Sequence, residues 1–195
     1  TTEIYTLSLH DALPISGESP TLTTDEKMRL FSEVKQSIGD KGVVIAGTGT
    51  YSTAESIELS QEAEKQGVDG LLLVVPYYNK PPQEGMYQHF KAIAGKTNLP
   101  CIVYNIMGRT GVNMTDETTI RLSQIDNIVG TKEASGDMNQ IARIIQGASP
   151  DFKVWSGDDN QTFLIMSIGG YGVVSVVAHL RSEEHTSELQ SRETI

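Results

Sequence analysis

A chain of 195 residues, 38% hydrophobic and 21% charged, has the composition of an ordinary globule with room for one sizeable core, which excludes a disordered or fibrous polymer. Its formal charge of -10 argues against nucleic acid as a partner, because phosphate backbones select basic surfaces. The single cysteine, Cys101, excludes a disulfide framework and points to a reducing compartment, and no apolar run approaches the roughly 20 residues a membrane-spanning helix needs.

Residues 1–16, TTEIYTLSLHDALPIS, carry neither a signal-peptide pattern nor a helical or strand period. They match the translation of a common short-read library adapter. The segment RSEEHTSELQS matches the adapter used at the other end, so residues 1–16 and 181–195 are both read as foreign to the fold. Residues 17–180 are expected to form the folded core. That core holds two histidines, His89 and His179, and shows no cluster of metal-ligand spacing.

Within the core the first predicted element is a helix over 24–38, opened by Thr23 and Glu26 at capping-box spacing. Strands and helices then alternate. The predicted strands are VVIAGTG (43–49), GLLLVVP (70–76), CIVYN (101–105), IVGTKEA (128–134), KVWSG (153–157) and GVVSVV (172–177). The predicted helices cover 52–67, 83–95, 115–124, 137–147 and 159–168, with Ser52 and Glu55 again at capping-box spacing. The strands are almost continuously apolar, which predicts a parallel sheet covered on both faces. Two architectures fit: a (β/α)8 barrel, or TIM barrel, and a doubly wound sheet.

Polar residues favour the barrel. Thr48, Thr50, Tyr77, Tyr78, Tyr104, Asn105, Lys132, Glu133, Ser156, Asp158 and Ser175 all fall near carboxyl ends of six successive strands. A barrel aims every such end at one mouth, whereas an open sheet uses mainly the crevice at its switch point. The rival signal is GTGTYS (47–52), which follows a strand and opens a helix as a dinucleotide fingerprint would. It lacks the third glycine, and Asp69 precedes the next strand instead of ending it, so a tight turn at the barrel rim is expected. Lys132 raises the sharper question. A lysine on a buried strand either snorkels to water or loses its charge and becomes a nucleophilic amine, and pattern alone leaves both open.

Taken together, GESPTLT, VVPYYNKPPQEGMYQHF, IVYNIMGRTG, GTKEASGD, WSGDD and GVVSV resemble the dihydrodipicolinate synthase family of pyruvate-dependent class I aldolases, in order and spacing, over essentially all of 17–180. The resemblance implies a (β/α)8 barrel whose strand-six lysine, Lys132, forms a Schiff base with pyruvate. The resulting enamine would attack aspartate 4-semialdehyde. It further implies that Tyr104 transfers protons, that Arg109 holds the semialdehyde carboxylate at the mouth, and that Gly157 and Val174 line the pyruvate pocket. Tyr78 would reach across a dimer interface into the neighbouring active site. A homodimer or homotetramer needing neither metal nor organic cofactor is implied, working at the first committed step toward diaminopimelate and lysine.

The same resemblance implies a truncated barrel: strands three to eight are present, while the first strand, most of the second and the C-terminal helical segment are missing. Ile15 and Ser16 stand where the family carries a threonine that relays protons between the two tyrosines. The chain as given is therefore expected to be weakly stable and inactive alone, and its parent enzyme active. Feedback inhibition by lysine in some members uses a site near Ser19, Glu55 and Tyr77. Lys27 and Tyr51 occupy places where lysine-sensitive members often have histidine and asparagine, which implies insensitivity. Two other functions compete. N-acetylneuraminate lyase and 2-keto-3-deoxy sugar acid aldolases share the lysine and tyrosine but have no use for a carboxylate clamp at Arg109. A non-catalytic barrel that binds a small ligand would keep the pocket and tolerate loss of Lys132.

Overall fold

The computed structural model describes residues 18–177. The two terminal segments read as adapter-derived, with Ile15 and Ser16, lie outside the described residues. Six strands, β1 (Ile45–Gly47), β2 (Gly70–Val74), β3 (Cys101–Asn105), β4 (Ile128–Glu133), β5 (Lys153–Ser156) and β6 (Gly172–Val173), form one sheet. Every neighbouring pair is parallel, and the strand order is the chain order. A doubly wound sheet reverses its order at a switch point; an all-parallel sheet that never reverses is an arc of barrel wall.

Helices α1 (Thr24–Ile38), α2 (Thr53–Lys65), α3 (Gln83–Ala94), α5 (Asp116–Leu122), α6 (Met138–Gly147) and α7 (Thr162–Ser167) alternate with the strands, and one extra turn, α4 (Met107–Thr110), follows β3. Their starts are chemically marked. The Thr23 hydroxyl accepts from the Glu26 N–H at 3.3 Å while the Glu26 carboxylate accepts from the Thr23 N–H at 2.8 Å, a complete capping box. Ser52 caps α2 by accepting from the Glu55 N–H at 3.4 Å. Asp137 caps α6 through the Asn139 and Gln140 N–H groups at 2.9 and 3.1 Å. Five of the six strands are shorter than the sequence predicts, β1 and β6 by four residues each, and β3 keeps its predicted bounds.

Two apolar layers flank the sheet. Leu71, Leu73, Val75, Cys101, Val103 and Ile128 pack against helical residues such as Phe31, Met86, Phe90 and Leu122. On the opposite face Leu72, Val74, Ile102, Tyr104, Trp155 and Val174 form a second cluster. β4 breaks the expected alternation between these layers. Ile128 faces the helices and Val129 the other side, but the pairing with β3 then jumps from Cys101↔Ile128 to Ile102↔Gly130. The additional residue is a β-bulge. Gly130 stays on Val129's side, where a Cβ would overlap the Trp155 ring, and the following residues alternate from there. Counted by twos from Ile128, Lys132 would point into the helical layer; after the bulge it joins Tyr104 on the inner face.

Candidate active site

Lys132 sits near the carboxyl end of β4 and is 3% exposed. Register pairs it with Tyr104 on β3 and with Trp155 on β5. Its Nζ lies 4.4 Å from the centroid of the buried Tyr104 ring, within cation–π range. Gly157 follows β5, held by its N–H to the Glu133 carbonyl at 2.7 Å. A Cβ at Gly157 would come within 3.0 Å of both Cγ and Cε of Lys132, so the glycine leaves the lysine stem its room. Val174 closes the same inner cluster just beyond β6, its N–H bonded to the Ser156 carbonyl at 2.8 Å. Lys132, Tyr104, Gly157 and Val174, taken from four strands, therefore meet on one face.

Arg109 and Tyr78 do not join them in the described structure. Arg109 is exposed on α4 at the rim and makes no ion pair among the described residues. Tyr78 is 86% exposed on a left-handed backbone, φ 63°, a conformation that costs a bulky residue energy. Its neighbour Tyr77 is half-buried, edge-on to Tyr51 at 5.3 Å, and burial, with Glu55 and Tyr51 nearby, pushes its phenol pKa up.

Several polar strand-end residues turn out to brace loops. Thr48 shares a 2.8 Å hydrogen bond with Ser60, the Thr50 N–H donates to Ser56 at 2.9 Å, the Ser156 hydroxyl donates to the Asp158 carbonyl at 2.7 Å, and Ser175 donates to Asp159. Strand order, and not the number of polar ends, is what establishes the barrel arc. The glycine of GTGTYS is likewise structural: a Cβ at Gly49 would overlap the Val74 nitrogen, so the turn needs glycine to pass close to β2.

Two strand-end groups expected at the barrel mouth, Asn105 and Glu133, lie on the opposite face of the sheet instead. Glu133 and Asn105 immediately follow Lys132 and Tyr104, pair with each other in register, and are fully buried. Burial pushes the Glu133 carboxyl pKa up to about 7, against hydrogen bonds from Ser135 and Asn105 that pull it down. The signal was there in YN and KE, since consecutive strand residues serve opposite faces. His89 is a core histidine on α3: Nδ1 pairs with the Thr53 hydroxyl at 2.8 Å, and burial lowers its pKa to about 4. Cys101 is fully buried, its thiol pushed up to about 12 mainly by burial, the setting of an inert core thiol. Among the described residues no group of three or more His, Cys, Asp or Glu is placed to hold a metal ion, and no helix is long and apolar enough to cross a membrane.

Residues 12–190 match the model of the dihydrodipicolinate synthetase family. The chain is 62% identical over 169 residues to the 4-hydroxy-tetrahydrodipicolinate synthase of Moorella thermoacetica, covering 87% of this chain and 58% of that protein. The structure of dihydrodipicolinate synthase from Cyanidioschyzon merolae with lysine bound superposes with a TM-score of 0.83 at 53% identity, over 84% of this chain and 56% of that one. A chloride-inhibited dihydrodipicolinate synthase from Acinetobacter baumannii, complexed with pyruvate, superposes with a TM-score of 0.81 at 45% identity, again over 84% and 56%. The chain thus spans less than two thirds of each of these proteins.

Proposed function

The chain belongs to the dihydrodipicolinate synthetase family, and from that premise we propose that its protein is a 4-hydroxy-tetrahydrodipicolinate synthase, a cytoplasmic lyase that condenses pyruvate with aspartate 4-semialdehyde. The observation that carries the proposal is the buried Lys132 amine 4.4 Å from the Tyr104 ring on the inner face of the arc. In this reading β1 to β6 are barrel strands three to eight. The Lys132 nitrogen adds to the ketone carbon of pyruvate, and water leaves to give a protonated imine. That imine is an electron sink, so the pyruvate methyl loses a proton and becomes an enamine carbon. The enamine attacks the aldehyde carbon of the semialdehyde, whose oxygen takes up a proton.

Tyr104, on the neighbouring strand, moves protons for imine formation, supported by its pairing with Lys132. Gly157 and Val174 shape the pyruvate pocket. Arg109, at the rim, receives the semialdehyde carboxylate, a task for which a planar fork of donors is suited. Tyr78 works in the site of a second copy within a homodimer or homotetramer; its exposure and left-handed backbone support a role that a partner surface completes. Incubating the protein with pyruvate and borohydride, then mapping peptides by mass, tests the central step. A reduced pyruvate adduct on the peptide containing Lys132 is expected, and an unmodified lysine would refute the assignment.

We also expect no feedback inhibition by lysine. Lys27 lines one hollow with Ser19, Thr50 and Tyr77, so a basic side chain already borders the place a lysine ligand would take. Inhibition by low-millimolar lysine in a steady-state assay would overturn this.

A further inference from the structure

β3 and β4 each deliver two consecutive residues to opposite faces: Tyr104 and Lys132 inward, Asn105 and Glu133 outward, both pairs in register. The outward pair roots a network of side-chain amides. Asn105 Nδ2 donates to Asn113 Oδ1 at 2.9 Å and to the Met114 carbonyl at 3.1 Å, and lies 3.3 and 3.4 Å from the two Glu133 oxygens. Asn105 Oδ1 accepts from the Met114 N–H at 3.1 Å. Gln140, at the start of α6, accepts from Asn113 Nδ2 at 2.7 Å and donates to the Met114 carbonyl at 3.1 Å. From the other side Gln83, at the start of α3, donates to the Asn113 carbonyl at 2.7 Å and accepts from the Thr115 N–H at 3.0 Å.

Most of what these side chains grip is residues 113–115, the returning leg of one excursion, residues 106–115, which leaves the end of β3 and carries Arg109; Gln83 also accepts from the Thr118 hydroxyl at 2.7 Å. The excursion is also tightened from within. The Thr110 hydroxyl lies 2.9 Å from both the Ile106 and Val112 carbonyls, and Gly111 turns at φ 71°. Asn105, Glu133 and Gln140 are buried, and the base they hold cannot shift without stranding amide groups that water does not reach. Arg109 is exposed, so little else fixes where its guanidinium stands relative to Lys132.

We propose that Asn105, Asn113, Gln140, Gln83 and Glu133 are positioning residues for the second substrate: from behind the sheet they set the place of Arg109, and with it recognition of a carboxylate-bearing aldehyde, while leaving pyruvate activation at Lys132 untouched. The proposal rests on the reading of Lys132 and Arg109 given above. It assigns control of the two substrates, which meet at one mouth, to residues on two faces of the same strands.

Steady-state kinetics of the full-length protein carrying Asn113→Ala, with both substrates varied, test it. Expected are a KM for aspartate 4-semialdehyde raised about tenfold, and a pyruvate KM and kcat within about twofold of the parent. Borohydride-trapped pyruvate on Lys132 should be undiminished. Gln140→Ala removes the other half of the same contact and should move the same constant, which keeps the test decisive if one variant folds poorly. A pyruvate KM rising in step with the aldehyde KM would mean general loosening and overturn the proposal, as would two constants that stay put. If the parent itself traps no pyruvate on Lys132, the functional reading falls and takes this proposal with it, a failure seen before any variant is made.

Discussion

Gly157 shows how little space the Lys132 side chain has. The resemblance implies room beside an imine at this position, and in the structure a methyl there would press on the Lys132 stem at 3.0 Å and on Ala134 at 3.1 Å. The lysine can give way, but only by moving its nitrogen. Gly157→Ala is expected to lower kcat by about ten- to a hundredfold with little loss of stability, read by single-turnover imine trapping beside a denaturation curve. Two buried titratable groups, Glu133 and His89, give a second prediction. Glu133 titrates near 7 in the fold against 4.5 unfolded, so the unfolded chain releases its proton first, and this group's contribution falls as pH rises from 4.5 to 7. His89 titrates near 4 against 6.5, so the unfolded chain binds a proton first, and its contribution falls as pH drops from 6.5 to 4. Each is worth roughly 3 kcal/mol, and over the shared window they oppose. Stability of the parent should therefore be nearly flat across that window. Glu133→Gln should be more stable near neutrality and lose stability steadily on acidification; denaturant midpoints at a series of pH values check both slopes.

Among the elements, what could be read from the sequence was what repeats. Caps, apolar runs and their alternation gave six strands and the main helices to within a few residues, because continuous burial on both faces leaves a continuous apolar run. Features without a period stayed hidden. The single turn α4 is too short to show amphipathicity, and the bulge in β4 is marked in IVGTKE only by its lone glycine, Gly130, although it decides which face Lys132 occupies. Tyr104 and Lys132 stood out at strand ends and took their roles from the resemblance, whereas Asn105 and Glu133, expected at the same mouth, face outward because consecutive strand residues alternate. Gly130 tests the bulge. A Cβ there would overlap both the Trp155 ring and the Lys153 carbonyl, so Gly130→Ala should destabilise by at least about 1–3 kcal/mol, measured as a shift in urea midpoint. An unchanged midpoint would mean that β4 can shed its additional residue freely.

At the scale of the molecule, the described strands form an arc whose outer members, β1 and β6, each pair with one neighbour among the described residues. Unpaired strand edges invite pairing with other chains. The 195-residue chain expressed alone should associate through these edges and melt broadly, and a sharp, concentration-independent melt of a monomer would contradict that. Resequencing the source DNA across residues 1–16 and 181–195 checks whether those segments are adapter. One feature of the inner face reaches beyond structure. Trp155 is the only tryptophan in the sequence, and register sets it beside Lys132. Light emitted by this chain under indole excitation thus originates from the inner face of the arc, beside Lys132. The proposed imine, the arrival of the proposed aldehyde and the unfolding of the arc should each change that one optical signal, without a label, and a change in it reports first on the surroundings of Lys132.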